Sequence, residues 1–327
     1  MRAAWYERKG PAREVLEVGE MDTPEPGPGE LRVRLAASGI NPADVKLRAG
    51  INDYGFNFPR VIPNSDGAGT VDQVGAGVDP AWVGRRVWLY NGQRLGRAFG
   101  TAADYIALDA GLVHALPDKL GFAEGATLGI PAMTAHRCVF ADGSVTGKTV
   151  LVTGGAGAVG HYAVQLAAWG GARVLATVSG EAKAAHALAG GAAAVVNYRQ
   201  EDVARRVREL TDGEGVDRIV EVDFGGNLAT AMGALKRSGT IAIYASDGNP
   251  QPQIDARALM ALNATLRFVV LNSIPLEARR QAQRDVTRWA LGGGLFPVAA
   301  RFPLDEIVAA HELVESLDKL GTVVVEP

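Results

Sequence analysis

The 327-residue chain is long enough for two domains, and its composition (47% hydrophobic, 21% charged) is that of an ordinary soluble globular protein. Its net charge of −3 argues against nucleic acid or an anionic membrane as a general electrostatic partner. The single cysteine, Cys138, excludes an internal disulfide and a cysteine-clustered zinc site, and it favours a reducing, cytoplasmic location. The charged N-terminus does not match a signal peptide, and no apolar run approaches the roughly 20 residues of a membrane span.

Residues 1 to about 125 are rich in predicted β-strands. Short runs of alternating polar and apolar residues are separated by glycine and proline turns, which favours a small, partly open barrel. One helix is predicted to begin at Pro42 and to end by Gly50, since proline suits the first helical position. The predicted strands cover residues 3–6, 15–18, 31–37, 69–74, 86–89 and 102–108.

An apolar and mostly helical segment, 123–140, leads to a region in which strands and helices alternate. This alternation predicts an α/β fold with a parallel, doubly wound sheet of six strands, the Rossmann arrangement. The predicted strands are 149–153, 172–178, 193–197, 218–222, 240–245 and 266–271, with helices at 161–170, 182–189, 200–211 and 228–236. A helix over 276–291 follows, and a last strand at 322–325 is expected to pair within the N-terminal barrel.

The first strand of the alternating region ends in a glycine-rich turn. Gly155, Gly157 and Gly160 fit the spacing G-x-G-x-x-G, which allows a tight turn, a bare backbone beside a pyrophosphate and close packing of helix on strand. The helix that follows offers free N–H groups and a positive dipole end to phosphates. In a chain with 41 glycines this spacing alone is weak, but the six strands around it predict a dinucleotide site. Its residues are Gly155, Ala156, Gly157, Ala158, Val159 and Gly160.

The choice of dinucleotide is argued from charge. NAD enzymes place an acid at the end of the second strand, about 20 residues beyond the glycines, where it binds the ribose diol. This chain has Ser179 there, and a serine does not repel a 2′-phosphate, so NADPH is favoured. Glu181 argues the other way, because it would serve NAD if the turn were shifted by one residue.

Several motifs in order along the chain resemble the medium-chain dehydrogenase/reductase superfamily, and within it the zinc-free quinone oxidoreductases of the zeta-crystallin type. The resemblance covers nearly the whole length. The motifs are S-G-I-N-P-A-D at 38–44, P-N-S-D-G-A-G at 63–69, G-I-P-A-M-T-A at 129–135, T-G-G-A-G-A-V-G at 153–160, N-Y-R at 197–199, F-P-L-D-E-I-V-A-A-H at 302–311 and G-T-V-V-V at 321–325.

The resemblance implies two domains with the active site in the cleft between them. A GroES-like substrate domain would comprise residues 1–124 and 273–327, and a Rossmann domain residues 125–272. The resemblance also implies NADPH as hydride donor and a small quinone or electron-poor alkene as acceptor. It further implies a homodimer or homotetramer, and we expect the strand from Leu266 to Leu271 to form the interface.

No metal is expected in this chain. Zinc-dependent members of the superfamily carry G-H-E where this chain has Asn64-Ser65-Asp66, and they have a ligand cysteine that is missing here. A catalytic zinc site needs about three side-chain ligands, and the five histidines show no ligand spacing. The chemistry would then be hydride transfer by the cofactor, with the protein aligning the acceptor and supporting charge on its oxygen.

The candidate catalytic residues are Asn41, Tyr54 and Thr134, each with a structural alternative. Asn41 would contact the nicotinamide ribose or the acceptor oxygen, or it would cap the helix that begins at Pro42. Thr134 and Ile130 match the stretch that packs against the nicotinamide in the family, or they belong to a connecting helix. Tyr54 could stack on a flat acceptor, or it is a surface-loop residue. Asp66 is expected to hold backbone or a neighbouring arginine rather than to act as an acid or base.

The remaining candidates are cofactor contacts taken from the resemblance. Lys183 and Tyr198 match family positions that hold the 2′-phosphate, although Lys183 could instead be a solvated helix charge. Ser246 follows the fifth strand, at the carboxyl edge where such sheets bind ligands. Backbone near Val270, Leu271 and Asn272, and near Lys319, Gly321 and Thr322, is expected to line the cofactor, with a plain loop as the alternative.

The leading prediction is an NADPH-dependent quinone oxidoreductase that works without metal. An alternative enzyme would reduce the activated C=C bond of an enal, enone or enoyl thioester with the same fold and hydride. A non-enzymatic alternative is the RNA-binding or crystallin role that some zeta-crystallin relatives have. The acidic balance argues against RNA; the local arginine clusters at 205–208 and 279–284 could still bind it, but such clusters are usually solvated helix faces.

Overall fold

A computed structural model describes residues 1–51, 58–94, 96–316 and 319–327. In chain order its strands are β1 (Arg2–Trp5), β2 (Glu17–Glu20), β3 (Glu30–Ile40), β4 (Asp66–Val74), β5 (Arg86–Leu89), β6 (Tyr105–Asp109), β7 (Val113–Ala115), β8 (Thr149–Val152), β9 (Arg173–Val178), β10 (Ala194–Asn197), β11 (Val216–Glu221), β12 (Leu235–Ile243), β13 (Thr265–Phe268), β14 (Val298–Pro303) and β15 (Thr322–Glu326). Its α-helices are α1 (Ala12–Val15), α2 (Pro42–Ala49), α3 (Phe122–Gly125), α4 (Met133–Phe140), α5 (Ala158–Trp169), α6 (Glu181–Ala189), α7 (Val203–Leu210), α8 (Phe224–Ala234), α9 (Ala256–Leu262), α10 (Leu276–Leu291) and α11 (Ile307–Glu315).

The chain divides into two compact units. The first comprises Met1–Pro131 and Phe296–Pro327, and the second comprises Ala132–Leu295. The first unit therefore contains both ends of the chain, and the second is one continuous segment. Among the described residues, no helix is both long and apolar enough to cross a membrane.

The first unit is built on a seven-stranded sheet. Its order is β14-β15-β3-β4-β5-β7, and β6 pairs with β3. The predicted return of the last strand is confirmed, because Val323 in β15 lies opposite Ile40 in β3 in an antiparallel pair. Burial alternates along the first half of β3, where Leu31, Val33 and Leu35 point inward, as expected of a strand with one covered face.

The second unit is the predicted doubly wound sheet. Its strand order is β10-β9-β8-β11-β12-β13, and every pair is parallel. In order of appearance along the chain this is 3-2-1-4-5-6, the order that places a dinucleotide at the switch point beside the first strand. Val150, Leu151 and Val152 of β8 are fully buried, because helices cover a parallel sheet on both faces.

Some predicted elements differ from the structure. Residues 15–18 were predicted as one strand, but α1 ends at Val15 and β2 begins at Glu17. The sixth strand ends at Phe268 rather than at 271, because Leu271–Ser273 form a 3₁₀ turn. The connecting segment breaks into α3, a π-helical turn at Leu128–Ala132 and α4, and Pro131, which has no N–H to donate, lies inside the break.

The two ends of the second unit also differ from the division placed at 125 and 272. Residues 125–131 lie in the first unit, whereas residues 273–295 lie in the second. Helix α10 belongs to the second unit because it packs on α4, where His136 Nε2 lies 3.1 Å from Asp285 Oδ2. The chain re-enters the first unit only at Phe296.

Candidate functional site

The glycine-rich turn joins the first strand of the parallel sheet to its first helix. Gly154 has φ +65°, a conformation that favours glycine. The Gly154 N–H donates to Thr177 Oγ1, and the Gly155 N–H donates to the Thr177 carbonyl, both at 3.0 Å, so the turn is fixed to β9. The Gly157 N–H closes the turn on the Gly154 carbonyl at 2.9 Å, and α5 begins at the next residue.

Each of the three motif glycines has a distinct surrounding. A Cβ added at Gly160 would overlap the carbonyl oxygen of Gly154, and one added at Gly155 would lie 2.6 Å from the Ala176 side chain. These two glycines are therefore required by the packing of turn, helix and strand. A Cβ on Gly157 would meet only the Gly154 oxygen, at 3.3 Å. Gly157 is thus the position whose bare backbone leaves room beside the N–H groups that begin α5.

The carboxyl ends of the second and third strands lie side by side next to this turn. Ser179 follows β9 directly, and α6 begins two residues later with Glu181. Tyr198 follows β10, and its N–H donates to the Val178 carbonyl at 3.1 Å, so Tyr198 lies beside Ser179. The Tyr198 side chain is 51% exposed, and Lys183 is half-buried in the first turn of α6. Three residues predicted for the 2′-phosphate thus share one corner of the sheet.

A buried carboxyl that the sequence did not single out lies beside the turn. Glu221 ends β11, and its Oε1 accepts hydrogen bonds from Thr153 Oγ1 (3.0 Å), the Asp223 N–H (2.7 Å) and Asn227 Nδ2 (2.8 Å). Burial raises the pKa of Glu221, and its Oε2 has no hydrogen-bond partner among the described residues. The available signal was an acid at the carboxyl end of a buried strand.

The later candidates of the second unit are placed differently from one another. Ser246 Oγ accepts from the Gly225 N–H at 3.0 Å and donates to the Asn249 carbonyl at 2.8 Å, so its hydroxyl stabilises a local turn. Beyond β13, Val270 is 61% exposed and Leu271 is buried, with Asn272 next to them in the 3₁₀ turn. Thr134 is buried in α4.

Asn41 lies in the first unit, where β3 ends and α2 begins. Its backbone N–H donates to Asp44 Oδ2 at 2.8 Å, which ties the strand end to the first turn of the helix. Its side-chain Nδ2 donates to Asp66 Oδ2 at 2.7 Å. Only 3% of Asn41 is exposed, so its amide is held in one orientation by these buried partners.

Asp66 joins Asn41 to a second candidate, Ile130. The Ile130 N–H lies 2.9 Å from both carboxyl oxygens of Asp66. Burial, the largest influence, raises the pKa of Asp66 to about 8, and Asp44 acts in the same direction, while the Asn41 hydrogen bond opposes them. Asp44 itself pairs with Arg94 at 2.9 Å and accepts from Ser65 Oγ at 2.7 Å.

The last candidates lie at the start of β15. Lys319 Nζ donates to the Gly321 carbonyl at 2.9 Å, and burial lowers the pKa of Lys319. Gly321 has φ +98°, and the Thr322 N–H donates to the Pro297 carbonyl at 2.9 Å, which ties the beginning of β15 to the segment before β14. Tyr54 lies outside the described residues. In the part of the chain that the structure describes, no three histidine, cysteine, aspartate or glutamate side chains are grouped as a metal site would require.

Two family descriptions match the chain, one in each part of the fold. The family described as "Alcohol dehydrogenase GroES-like domain" matches residues 27–118, and "Zinc-binding dehydrogenase" matches residues 158–288. The human protein named quinone oxidoreductase is 30% identical over 94% of this chain and 91% of its own length. A 2-haloacrylate reductase from Burkholderia is 30% identical over 100% of this chain and 99% of its own length.

Two solved structures are similar to this chain along its full length. A mycobacterial protein whose structure is complexed with NADPH is 28% identical, with a TM-score of 0.87 and complete coverage of both chains. A protein named NAD-dependent alcohol dehydrogenase is 30% identical, with a TM-score of 0.90 and complete coverage. On this agreement in sequence and architecture, the chain is an oxidoreductase that belongs to the quinone oxidoreductase family of the medium-chain dehydrogenase/reductase superfamily.

Proposed function

We propose that this protein is an NADPH-dependent quinone oxidoreductase that works without a metal ion. The observation that carries the proposal is the corner formed by Ser179, Lys183 and Tyr198. It lies beside a glycine-rich turn in which Gly157 leaves room for a ligand. When bound there, NADPH would supply a hydride to the acceptor. The protein would supply binding, orientation and support for the charge that forms on the acceptor oxygen.

The pyrophosphate would be held by backbone N–H groups of the first turn of α5. Those groups have no partner within a helix, and the positive end of the helix dipole favours an anion beside them. Gly157 fits this role because it carries no side chain at the approach to the helix. Ser179, Lys183 and Tyr198 would hold the 2′-phosphate, because a serine hydroxyl does not repel it and an ammonium attracts it.

On the acceptor side, Asn41 would contact the nicotinamide ribose or the acceptor oxygen. An amide nitrogen carries two hydrogens, and only one of them is needed for the 2.7 Å bond to Asp66. Ile130 and Thr134 would pack against the nicotinamide. Ser246, Val270, Leu271, Asn272, Lys319, Gly321 and Thr322 stay predicted cofactor contacts.

Steady-state kinetics with purified protein tests this function. We expect turnover of 1,4-benzoquinone or 1,4-naphthoquinone with NADPH, a lower KM for NADPH than for NADH, and no loss of rate after treatment with EDTA. No turnover of either quinone with either cofactor would contradict the proposal. A lower KM for NADH would contradict the assignment of Ser179 and Lys183.

A second candidate function is reduction of an activated C=C bond. The Burkholderia 2-haloacrylate reductase matches this chain at the same identity as the human quinone oxidoreductase, and over more of its length. The discriminating experiment is a panel that adds an enone, an enal and 2-chloroacrylate to the quinones. Turnover of the alkenes without the quinones would replace the leading proposal with this one.

We also propose that two copies of the chain pair through the outer edge of the parallel sheet. Strand β13 is the last strand of that sheet, and apolar side chains near it are exposed: Met260 (78%), Phe268 (66%) and Val270 (61%). An uncovered strand edge with exposed apolar residues is an aggregation hazard unless a partner covers it. Light scattering should give a dimer or tetramer for the wild type and a monomer for Met260→Lys/Val270→Lys. A monomeric wild type would contradict this interface.

Cytoplasmic location stays a prediction from composition.

A further inference from the structure

One carboxyl group, that of Asp66, serves two residues that the proposed function assigns to cofactor and acceptor. Its Oδ2 accepts from Asn41 Nδ2 at 2.7 Å, and both of its oxygens lie 2.9 Å from the Ile130 N–H. Asn41 lies between β3 and α2, whereas Ile130 lies in the irregular turn before α4. Two segments almost 90 positions apart in sequence are therefore fixed to each other through one side chain.

The backbone at Ile130 is available to Asp66 because the helix is irregular there. Gly129 has ψ −110°, which is not helical, and Pro131 follows inside the same π-helical turn. In a regular helix the Ile130 N–H would donate to the carbonyl four residues earlier, but here it donates to Asp66. A side chain at position 129 could not fit, since a Cβ there would overlap Asp66 Oδ1. The turn is thus built around this carboxyl.

The hydrogen bonds of both partners favour a carboxyl over an amide. Asn41 Nδ2 and the Ile130 N–H are both donors, so position 66 must present acceptors to both. An asparagine offers one oxygen and one NH₂ group, and its NH₂ would face one of the two donors. The donor–donor conflict would turn the Asn41 amide away or release the Ile130 N–H.

The charges around Asp66 do not explain why an acid is buried there. Arg94 pairs with Asp44 of α2 at 2.9 Å; Asp44 raises the pKa of Asp66, and Arg94 has a smaller effect that lowers it. Among the described residues, the hydrogen bonds to its carboxyl come from the amide of Asn41 and the Ile130 N–H. An acid that is costly to ionise, and that is bonded to no cation in the part of the chain that the structure describes, is better explained by what its two oxygens hold.

We propose that Asp66 is a positioning residue, whose carboxyl sets the orientation of the Asn41 amide relative to the backbone at Ile130 and so aligns the acceptor with the nicotinamide. The inference rests on the proposed function for the roles of Asn41 and Ile130. Asp66 itself touches neither ligand and acts through these two partners.

A double-mutant cycle tests whether Asp66 acts through Asn41. We expect Asp66→Asn to lower kcat for benzoquinone about tenfold, while KM for NADPH changes less than threefold. In an Asn41→Ala background the same change should cost less than twofold, because the group that Asp66 orients is gone. Equal losses in both backgrounds would overturn the proposal.

A measurement on the protein without ligands separates this inference from the proposed function. In Asp66→Asn, hydrogen exchange at the Ile130 N–H and at the Asn41 side-chain amide should accelerate at least tenfold, as read by NMR. The control is Thr101→Val, which removes the 2.7 Å bond to the Asp66 carbonyl and the 2.8 Å contact with Ser38 Oγ but leaves the Asp66 carboxyl in place. It should leave both exchange rates and kcat within twofold of the wild type.

Unchanged exchange in Asp66→Asn would overturn the positioning role whether or not the enzyme reduces quinones. A wild type that reduces no quinone would instead contradict the proposed function. Exchange that rises equally in the Thr101→Val control would show that general loosening of the core, rather than the carboxyl, controls these two amides, and would also overturn the proposal.

Discussion

Gly160, in the first turn of α5, packs directly against Gly154, so that a Cβ at Gly160 would overlap the Gly154 carbonyl oxygen. We therefore expect Gly160→Ala to destabilise the protein without ligands by about 1–3 kcal/mol, the usual range for overpacking. Gly157→Ala should cost about 1 kcal/mol or less, because its Cβ would lie 3.3 Å from the nearest atom. Urea unfolding of the two variants measures the difference.

The same two variants, Gly160→Ala and Gly157→Ala, separate an effect on folding from an effect on cofactor binding. Gly157→Ala should weaken NADPH binding at least tenfold by fluorescence titration although its fold is nearly intact. If Gly157→Ala binds NADPH like the wild type, the pyrophosphate does not lie against this turn.

Cofactor selectivity should respond to the charge at the end of β9. Ser179→Asp places a carboxylate where the 2′-phosphate is proposed to bind, so we expect KM for NADPH to rise about tenfold, equivalent to about 1.4 kcal/mol of repulsion. KM for NADH should stay the same or fall, because a carboxylate there can bind the ribose diol. Ser238→Asp is the matched control. It adds the same charge at an exposed position just before Thr240, at the amino ends of the parallel strands, whereas Ser179 lies at their carboxyl ends. Equal responses of the two variants would contradict the assignment.

Acid should destabilise the protein in part through His161. Burial, with a smaller contribution from His186, lowers the pKa of His161 to about 4. The pKa of His161 in the unfolded chain is about 6.5, so between about pH 6.5 and 4 the unfolded state binds a proton at this residue and the folded state does not. Stability therefore falls as the pH drops through that range. The contribution is about 1.4 kcal/mol per pH unit in that window.

The variant that checks this contribution is His161→Leu. Neither ring nitrogen of His161 has a hydrogen-bond partner among the described residues, so an apolar side chain of similar size loses no bond. We expect stability at pH 7 equal to the wild type or higher, and a shallower loss between pH 6.5 and 4 in urea titrations. The His161 ring stacks on His186. If His161→Leu lowered the free energy of unfolding at pH 7 by more than about 2 kcal/mol, the imidazole would have a stabilising interaction beyond this stacking.

Asp142 should contribute more to the free energy of unfolding than an ordinary surface charge does. It pairs with Arg218, which is buried in β11, and with Arg267 of the edge strand β13. In Asp142→Ala the one hydrogen-bond partner left to the Arg218 guanidinium among the described residues is the Cys138 carbonyl at 2.7 Å, so we expect the free energy of unfolding to fall by about 3 kcal/mol or more. Glu214→Ala breaks the exposed pair with Lys236 and should cost less than about 1 kcal/mol. Similar losses in thermal or urea unfolding would contradict the distinction.

The sequence was most informative where periodicity and glycine spacing act locally. All six strands of the parallel sheet and the turn from Gly154 to Gly160 follow from patterns within about 20 residues, because buried parallel strands are continuous apolar runs. The family resemblance is confirmed, and with it the return of the last strand. Helices α1, α9 and α11 and strands β7 and β14 were not predicted.

The candidate site was less accessible to prediction because its contacts are long-range. The bonds from Asp66 to Asn41 and Ile130 span 25 and 64 positions, and no local pattern encodes them. Asp66 and Glu221 are also hidden by their type, since most acids in a sequence are solvated and burial is a property of the fold. The boundary of the second unit at 295 depends in the same way on how α10 packs against α4.

The position of β15 between β14 and β3 sets an order for synthesis. Residues 132–295 are continuous, so every strand of the parallel sheet is synthesised before β15. The sheet of the first unit cannot be completed until Thr322–Glu326 emerge, and until then β3 has an open edge. The second unit is therefore fully synthesised while the sheet of the first unit is unfinished, and translation arrested before Thr322 would leave a nascent chain in which β3 has an exposed edge.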